Sequence, residues 1–243
     1  MKEIIKFIKK ETLLVYKKNY SEKYIQQKII PIINYINLSN RKKFLIGGSQ
    51  GIGKSSIILI IKKTLEEFYN KKVLALSLDD YYLSKVEREL LANQIHPLLR
   101  TRGVPGTHNI KELLSNISKF DKNKYPFLIP IFDKLTDDRL RIKNKINGNF
   151  DVLILEGWCC GCNDIEKNYL YKNINYLEKT YDKTFLWRNF YNEKLKGDYK
   201  RLFNSFDQII FMQAPSFKYV INWRLKQEKN NIFNSKKIKK MSK

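Results

Sequence analysis

A chain of 243 residues, 43% of them hydrophobic, is long enough to close a real core as one domain. No stretch reaches the roughly 18–20 apolar residues of a membrane span, and charges dot the N-terminus where a secretory signal would be apolar, so a cytoplasmic protein with no membrane attachment is expected. The formal net charge is +23, but the basic residues are mostly Lys and are spread along the chain, dense only at "NSKKIKKMSK", which argues against nucleic acid as the main partner.

The elements follow in chain order. Residues 3–39 carry apolar positions at helical spacing, with Pro31 ending or kinking the second helix, so residues 1–40 read as a helical extension packed on a single domain spanning 1–243. "KFLIGG" is a short buried strand meeting a turn, "KSSIILIIKKTLEEFYN" a helix and "KKVLALSLDD" a second strand. "NFDVLILEGW" and "FDQIIFMQAP" give two more strands, with helical patterns over 84–93, 110–119 and 163–178 between them. Short continuous apolar strands alternating with helices predict an α/β fold, a central and mostly parallel sheet flanked by helices in three layers. Ligands then gather at the carboxyl ends of the strands.

"GGSQGIGKSS" holds Gly48-x-x-x-x-Gly53-Lys54-Ser55 between a predicted strand and a predicted helix, the context the Walker A motif requires. In this stretch Gly48, Ser49, Gly51, Ile52, Gly53, Lys54, Ser55 and Ser56 are the candidate nucleotide-binding residues. Backbone N–H groups turn inward around a phosphate, Lys54 reaches the β- and γ-phosphates of ATP, and the Ser55 hydroxyl ligates Mg²⁺. Glu156, at the end of the apolar strand "DVLILEGW", is the second candidate on the metal.

Asp79 and Asp80 end the strand after the phosphate loop. A carboxylate there either takes the proton of an acceptor hydroxyl or simply caps the next helix. The loop "FDKLTDDR" (132–139) either clamps phosphates or is a solvated charge cluster. The three cysteines, Cys159, Cys160 and Cys162, read as reduced residues beside a strand end, because a zinc site needs a second spaced pair.

The ordered set "GGSQGIGKSS", "SLDDYYLS", "HPLLRTRGVPGTHN", "FDKLTDDR", "LILEGWCCG" and "INWRLKQE" resembles the D-glycerate 3-kinase family, P-loop kinases related to phosphoribulokinase, uridine kinase and pantothenate kinase. The resemblance runs from about residue 40 to residue 228. It implies an ATP- and Mg²⁺-dependent kinase that phosphorylates a hydroxyl of a small anionic acid, D-glycerate to 3-phosphoglycerate. It makes Asp79 the base, with Tyr82 near the acceptor. Arg100, Arg102 and His108 become charge-assisted donors to a carboxylate, unless the loop is a structural turn whose arginines pair with surface carboxylates, and Asp80, Lys134 and Arg139 complete the acceptor set. Asp133 matches a family motif without an assigned role. Arg224 either stabilises the transferring phosphoryl group beside Lys54 or forms an i, i+4 pair with Glu228. The family continues through a further helix and strand beyond the point where this chain stops. Two other readings stay open: a nucleoside or pantothenate kinase of the same fold, and a basic nucleic-acid-binding protein with a relic phosphate loop.

Overall fold

The computed structural model describes residues 1–17, 19–223 and 225. The N-terminal helices are α1 (Lys2–Tyr16), α2 (Glu22–Tyr24) and α3 (Ile30–Leu38), and a π-turn over Ile25–Ile29 joins the last two. Pro31 therefore does not end its helix. It lacks the N–H that would bond the carbonyl four residues back, and the wider π-turn just before it absorbs the defect.

Four strands form one parallel sheet: β1 (Lys43–Gly48), β2 (Val73–Ser77), and two later strands named β7 (Val152–Gly157) and β8 (Gln208–Met212). Their order across the sheet is β2-β7-β1-β8. Between β2 and β7 lie two small antiparallel pairs, β3 (Phe127–Ile129) with β6 (Asn144–Ile146) and β4 (Phe132–Asp133) with β5 (Asp138–Arg139). The segment 132–139 is thus a hairpin rather than the open loop expected.

The sheet's period-2 alternation builds its two cores. Phe44, Ile46 and Ile154 face one way and meet Ile58 and Ile61 of α4 (Lys54–Tyr69), behind which Ile5, Ile8, Ile29 and Ile33 of the N-terminal helices pack. Leu45, Leu153 and Leu155 face the other way. They meet Leu113 and Ile117 of α6 (Ile110–Asp121), together with Tyr199 and Leu202. β1 and β7 are covered on both faces, which is why they read as unbroken apolar runs. Edge strand β8 alternates between half-buried and exposed residues.

Two helices match their predicted spans because both carry local start signals. α5 (Lys85–Gln94) opens on a capping box between Ser84 and Glu87, and α6 opens on Asn109, whose side chain accepts the Glu112 N–H. The continuous helix expected over 163–178 is instead α7 (Lys167–Leu170) and α8 (Tyr176–Tyr181). Asn175 caps α8, and the carbonyls of Leu170 and Lys172 turn onto the buried Arg188 guanidinium, which also holds Asp182 at 2.8 Å. Tertiary bonding overrides the local period there. Arg188 belongs to α9 (Leu186–Lys194), which runs through a π-turn over Leu195–Tyr199 into α10 (Lys200–Asn204). Among the described residues no helix is long and apolar enough to cross a membrane.

Candidate active site

The strand ends place the chemistry. β1 runs into the glycine loop, and Gly53, at φ 99°, takes the left-handed backbone that lets α4 begin at Lys54. Lys54 is 8% exposed, and its ammonium donates to the carbonyls of Gly48 (2.9 Å) and Ser49 (3.0 Å) across its own loop. Burial pushes the Lys54 pKa below the ordinary lysine value, against the raising pull of Glu156 and Asp79. Among the described residues the buried Ser49 hydroxyl has no hydrogen-bond partner. Such an unmade bond costs about 1–3 kcal/mol, so the loop holds a donor group waiting for an acceptor, as a phosphate cradle does.

Glu156 ends β7 one strand away, 8% exposed. One of its carboxylate oxygens, Oε1, accepts both the Ser55 hydroxyl (2.8 Å) and the Ser77 hydroxyl (3.0 Å). All are hard oxygen donors, the class Mg²⁺ prefers, so these residues fit the ion that the glycine loop implies. Among the described residues no cluster of three His, Cys, Asp or Glu forms a protein-only metal cage. Ser77 was not foreseen; its only sequence signal is its place at the end of β2, paired in register with Glu156.

Beyond Ser77 the chain turns through a short 3₁₀ segment, Leu78–Tyr81, which carries both aspartates. The helix-capping alternative fails here, since Ser84 caps α5. Asp79 pairs with the Lys134 ammonium at 2.6 Å. Burial raises the Asp79 pKa, but the charge and hydrogen bond of Lys134 outweigh it and hold the carboxyl below its usual range. Asp80 behaves oppositely, raised by burial, and accepts the Phe132 N–H at 3.4 Å. Two adjacent carboxylates thus have different work: one stays ionised beside Lys134, the other ties the 3₁₀ turn to the hairpin.

The glycine-rich loop before α6 is stitched to this turn by its backbone. Leu83 N–H donates to Thr107 O (2.9 Å) and Asn109 N–H to Tyr81 O (2.7 Å), so Tyr82 and His108 bridge. Their rings stack, centroids 4.2 Å apart. Gly106, at φ 98°, is needed for two reasons: a side chain would be strained there and its Cβ would lie 2.4 Å from the Phe190 ring. Trp158, just past β7, donates from its indole to Gly103 O at 3.0 Å.

His108 corrects one expectation. It is buried, and burial pushes its pKa down to about 3, so the ring is neutral and is no charge-assisted donor. Its Nδ1 lies 2.5 Å from the Tyr199 hydroxyl. Arg102 pairs with Asp137 and covers the Phe132 ring at 5.3 Å. Arg100 departs from expectation too: Glu89 on the exposed side of α5 engages its guanidinium at 2.6 and 2.7 Å, which turns it to solvent. The arginine turned inward is Arg88, fully buried, whose guanidinium donates to Arg100 O (2.7 Å), Leu83 O (3.2 Å) and Asp137. Arg139 is held by Glu112 of α6 at 2.5 Å. Asp133 caps the hairpin turn, accepting from Leu135 and Thr136. Arg224 lies outside the described residues. The cysteines are unpaired thiols; Cys159 and Cys160 are buried, and burial pushes both pKa values up.

The structure therefore gathers Lys54, Ser55, Ser77 and Glu156 at adjacent strand ends, joins Asp79 to Lys134, and stacks Tyr82 on His108. No family model matches the chain. The chain is 29% identical over 217 residues to the "Uncharacterized kinase mug58" of Schizosaccharomyces pombe, covering 84% of this chain and 76% of that one. A D-glycerate 3-kinase from Cryptococcus neoformans shares the fold with a TM-score of 0.66 at 22% identity, over 94% of this chain and 78% of that one. The "Probable ATP-dependent kinase TDA10" of Saccharomyces cerevisiae is 31% identical over 245 residues, 90% of this chain and 77% of that one. A phosphate loop opening α4, an acidic residue ending the neighbouring β7 and that relationship lead to one assignment: the chain belongs to the family of P-loop kinases that includes TDA10.

Proposed function

We propose that this kinase transfers the γ-phosphoryl group of ATP to a hydroxyl of a small hydroxy acid, with D-glycerate as the acceptor. The observation that carries this reading is the Asp79–Lys134 pair at the carboxyl end of β2. It sets an ionised carboxylate within the electrostatic reach of Lys54 and the phosphate loop. A carboxylate so held can orient an acceptor hydroxyl and take its proton, which contributes ~10²–10⁴ in rate.

Each residue then has work of a stated kind. Backbone N–H groups of Gly48–Ser55 and the Lys54 ammonium hold the phosphates and offset their charge. Ser55, and Glu156 held by Ser77, would hold Mg²⁺, which supplies charge neutralisation on the phosphate oxygens. Lys134, 54% exposed, can leave Asp79 and meet the acceptor's carboxylate, and Arg102 lies on the same hairpin through Asp137. A charged acceptor rewards such cations; a neutral nucleoside does not. The motif resemblance and the fold shared with a D-glycerate 3-kinase support the choice of acid.

The test is ADP release at fixed ATP and Mg²⁺ with D-glycerate, uridine, pantothenate or no acceptor, for the wild type and Asp79→Asn. Stimulation by D-glycerate that is lost in the variant is the expected result. Stimulation by another acceptor alone rejects the substrate while keeping the base. Salt-sensitive RNA or DNA binding with no ADP release under any condition rejects the enzyme reading altogether.

A further inference from the structure

We propose that His108 is a neutral hydrogen-bond donor to the acceptor, presenting Nε2–H, and that Tyr199 is the positioning residue that holds it in that tautomer. The inference rests on the kinase reading above and assigns one more contact at its acceptor site.

The Tyr199 hydroxyl has one proton to give and two lone pairs to receive with. Among the described residues it makes two hydrogen bonds. It accepts the Gly106 N–H at 3.0 Å, and it lies 2.5 Å from His108 Nδ1. If Nδ1 carried the imidazole proton, the hydroxyl would accept twice and its own proton would be left buried with nowhere to go. The arrangement in which every group is used sends the Tyr199 proton to Nδ1, which puts the histidine proton on Nε2.

That Nε2 is buried and, among the described residues, has no hydrogen-bond partner. It occupies the edge of the ring away from Tyr199, and the Asp79 charge acts on the imidazole. The ring cannot swing to find another partner. Tyr82 stacks on its face, Tyr199 packs edge-on at 5.9 Å, and the backbone of His108 is bridged to Tyr82. Holding a donor so firmly with its hydrogen bond unmade makes sense if a ligand oxygen completes it. A neutral donor also suits a site whose base is Asp79, because a histidine cation would hold that carboxylate as Lys134 already does and compete with the acceptor hydroxyl.

The chain has two histidines, His96 and His108, so ring ¹⁵N–¹H correlation spectra of the ¹⁵N-histidine-labelled protein resolve each. His108 should show a protonated Nε2 and a bare Nδ1 at neutral pH, and Tyr199→Phe should convert it to a tautomer mixture. An Nδ1–H tautomer or an imidazolium in the wild type overturns the inference even if the enzyme is active. Kinetics supply the second reading. The amide nitrogen of His108→Gln reaches the place of Nε2, and that of His108→Asn the place of Nδ1. The Asn variant should raise the acceptor KM about tenfold or more with the ATP KM within about twofold, and the Gln variant should recover most of the loss. Equal damage in both variants, or a parallel rise in the ATP KM, reduces His108 to a structural role. Should the spectra show Nε2–H while no acceptor stimulates ADP release, the kinase reading itself falls, and the donor role with it.

Discussion

The two halves of the site are built differently. The nucleotide half is made of strand ends and backbone: Gly48 and Glu156 end paired parallel strands, and Lys54 is anchored by carbonyls of its own loop. The acceptor half is made of side-chain ion pairs between segments far apart in the chain: Lys134 with Asp79, Arg102 and Arg88 with Asp137, Arg139 with Glu112. Backbone geometry is preset by the fold and needs no exchange of partners when a phosphate arrives. The most exposed of them, Lys134–Asp79, can be traded for ligand contacts at modest cost, because a largely exposed pair contributes only about 0–1 kcal/mol. The first half is suited to a constant ligand, the second to one that must be chosen.

The largest effect should come from the residue where the halves meet. Asp79→Asn keeps the shape but removes the base, so kcat for the acceptor reaction should fall ~10²–10⁴-fold while the ATP KM changes little. A drop in ATP binding of the same size would mean that Asp79 belongs to the nucleotide half. Next comes Ser77→Ala, which leaves Glu156 with one hydroxyl partner instead of two. The Mg²⁺ concentration for half-maximal activity should rise about 10-fold, the low end for an outer-shell partner; an unchanged Mg²⁺ requirement would remove Glu156 from the metal. Lys134→Met should act more mildly and through pH. With the cation gone, its lowering pull on the Asp79 carboxyl is lost while burial still raises it, so the Asp79 pKa rises. The base is then protonated at a higher pH, so the acid limb of the kcat/KM profile should move upward. A limb that stays in place would show that Lys134 does not tune the base.

The same contrast decides what could be read from the sequence. The β1–loop–α4 unit was legible because its signal is local: a buried apolar run, glycines where the backbone takes positive φ, then a Lys-Ser pair at the helix start. The β2, β7 and β8 strands were legible as short apolar runs for the same reason. The 132–139 hairpin was not, since strands of two residues have no period to detect and the turn is fixed by Asp133 and by arginines more than 30 residues away, 35 for Arg102 and 49 for Arg88. Tyr199 lies 91 residues from His108 and sits in a π-turn, so nothing near either residue announces the pair. Burial is equally silent in the motif "RTRGVPGTH", which shows a histidine without telling that it is enclosed and neutral.

The arginines make the smallest test and the most specific one. Arg88 and Arg100 are the same residue type twelve positions apart, yet their surroundings are opposite. Arg88 is 1% exposed and its guanidinium holds carbonyls of Leu83, Arg100 and Asp137 together, whereas the Arg100 side chain is 56% exposed and pairs with Glu89. If ion pairing at the surface were enough to make a residue functional, Arg100→Ala would disturb acceptor binding as its place in the motif suggests. The geometry says otherwise: an exposed pair is screened by water and salt, and its loss frees Glu89 to be solvated. Arg100→Ala should therefore leave both KM values and kcat within about twofold of the wild type, measured by ADP release at low and high salt. Its carbonyl, not its guanidinium, is what the loop uses, and Ala still provides one to Arg88. A tenfold rise in acceptor KM confined to low salt would show instead that Arg100 leaves Glu89 to meet the incoming anion, and the exchange of partners ascribed to Lys134 would then extend along the whole loop.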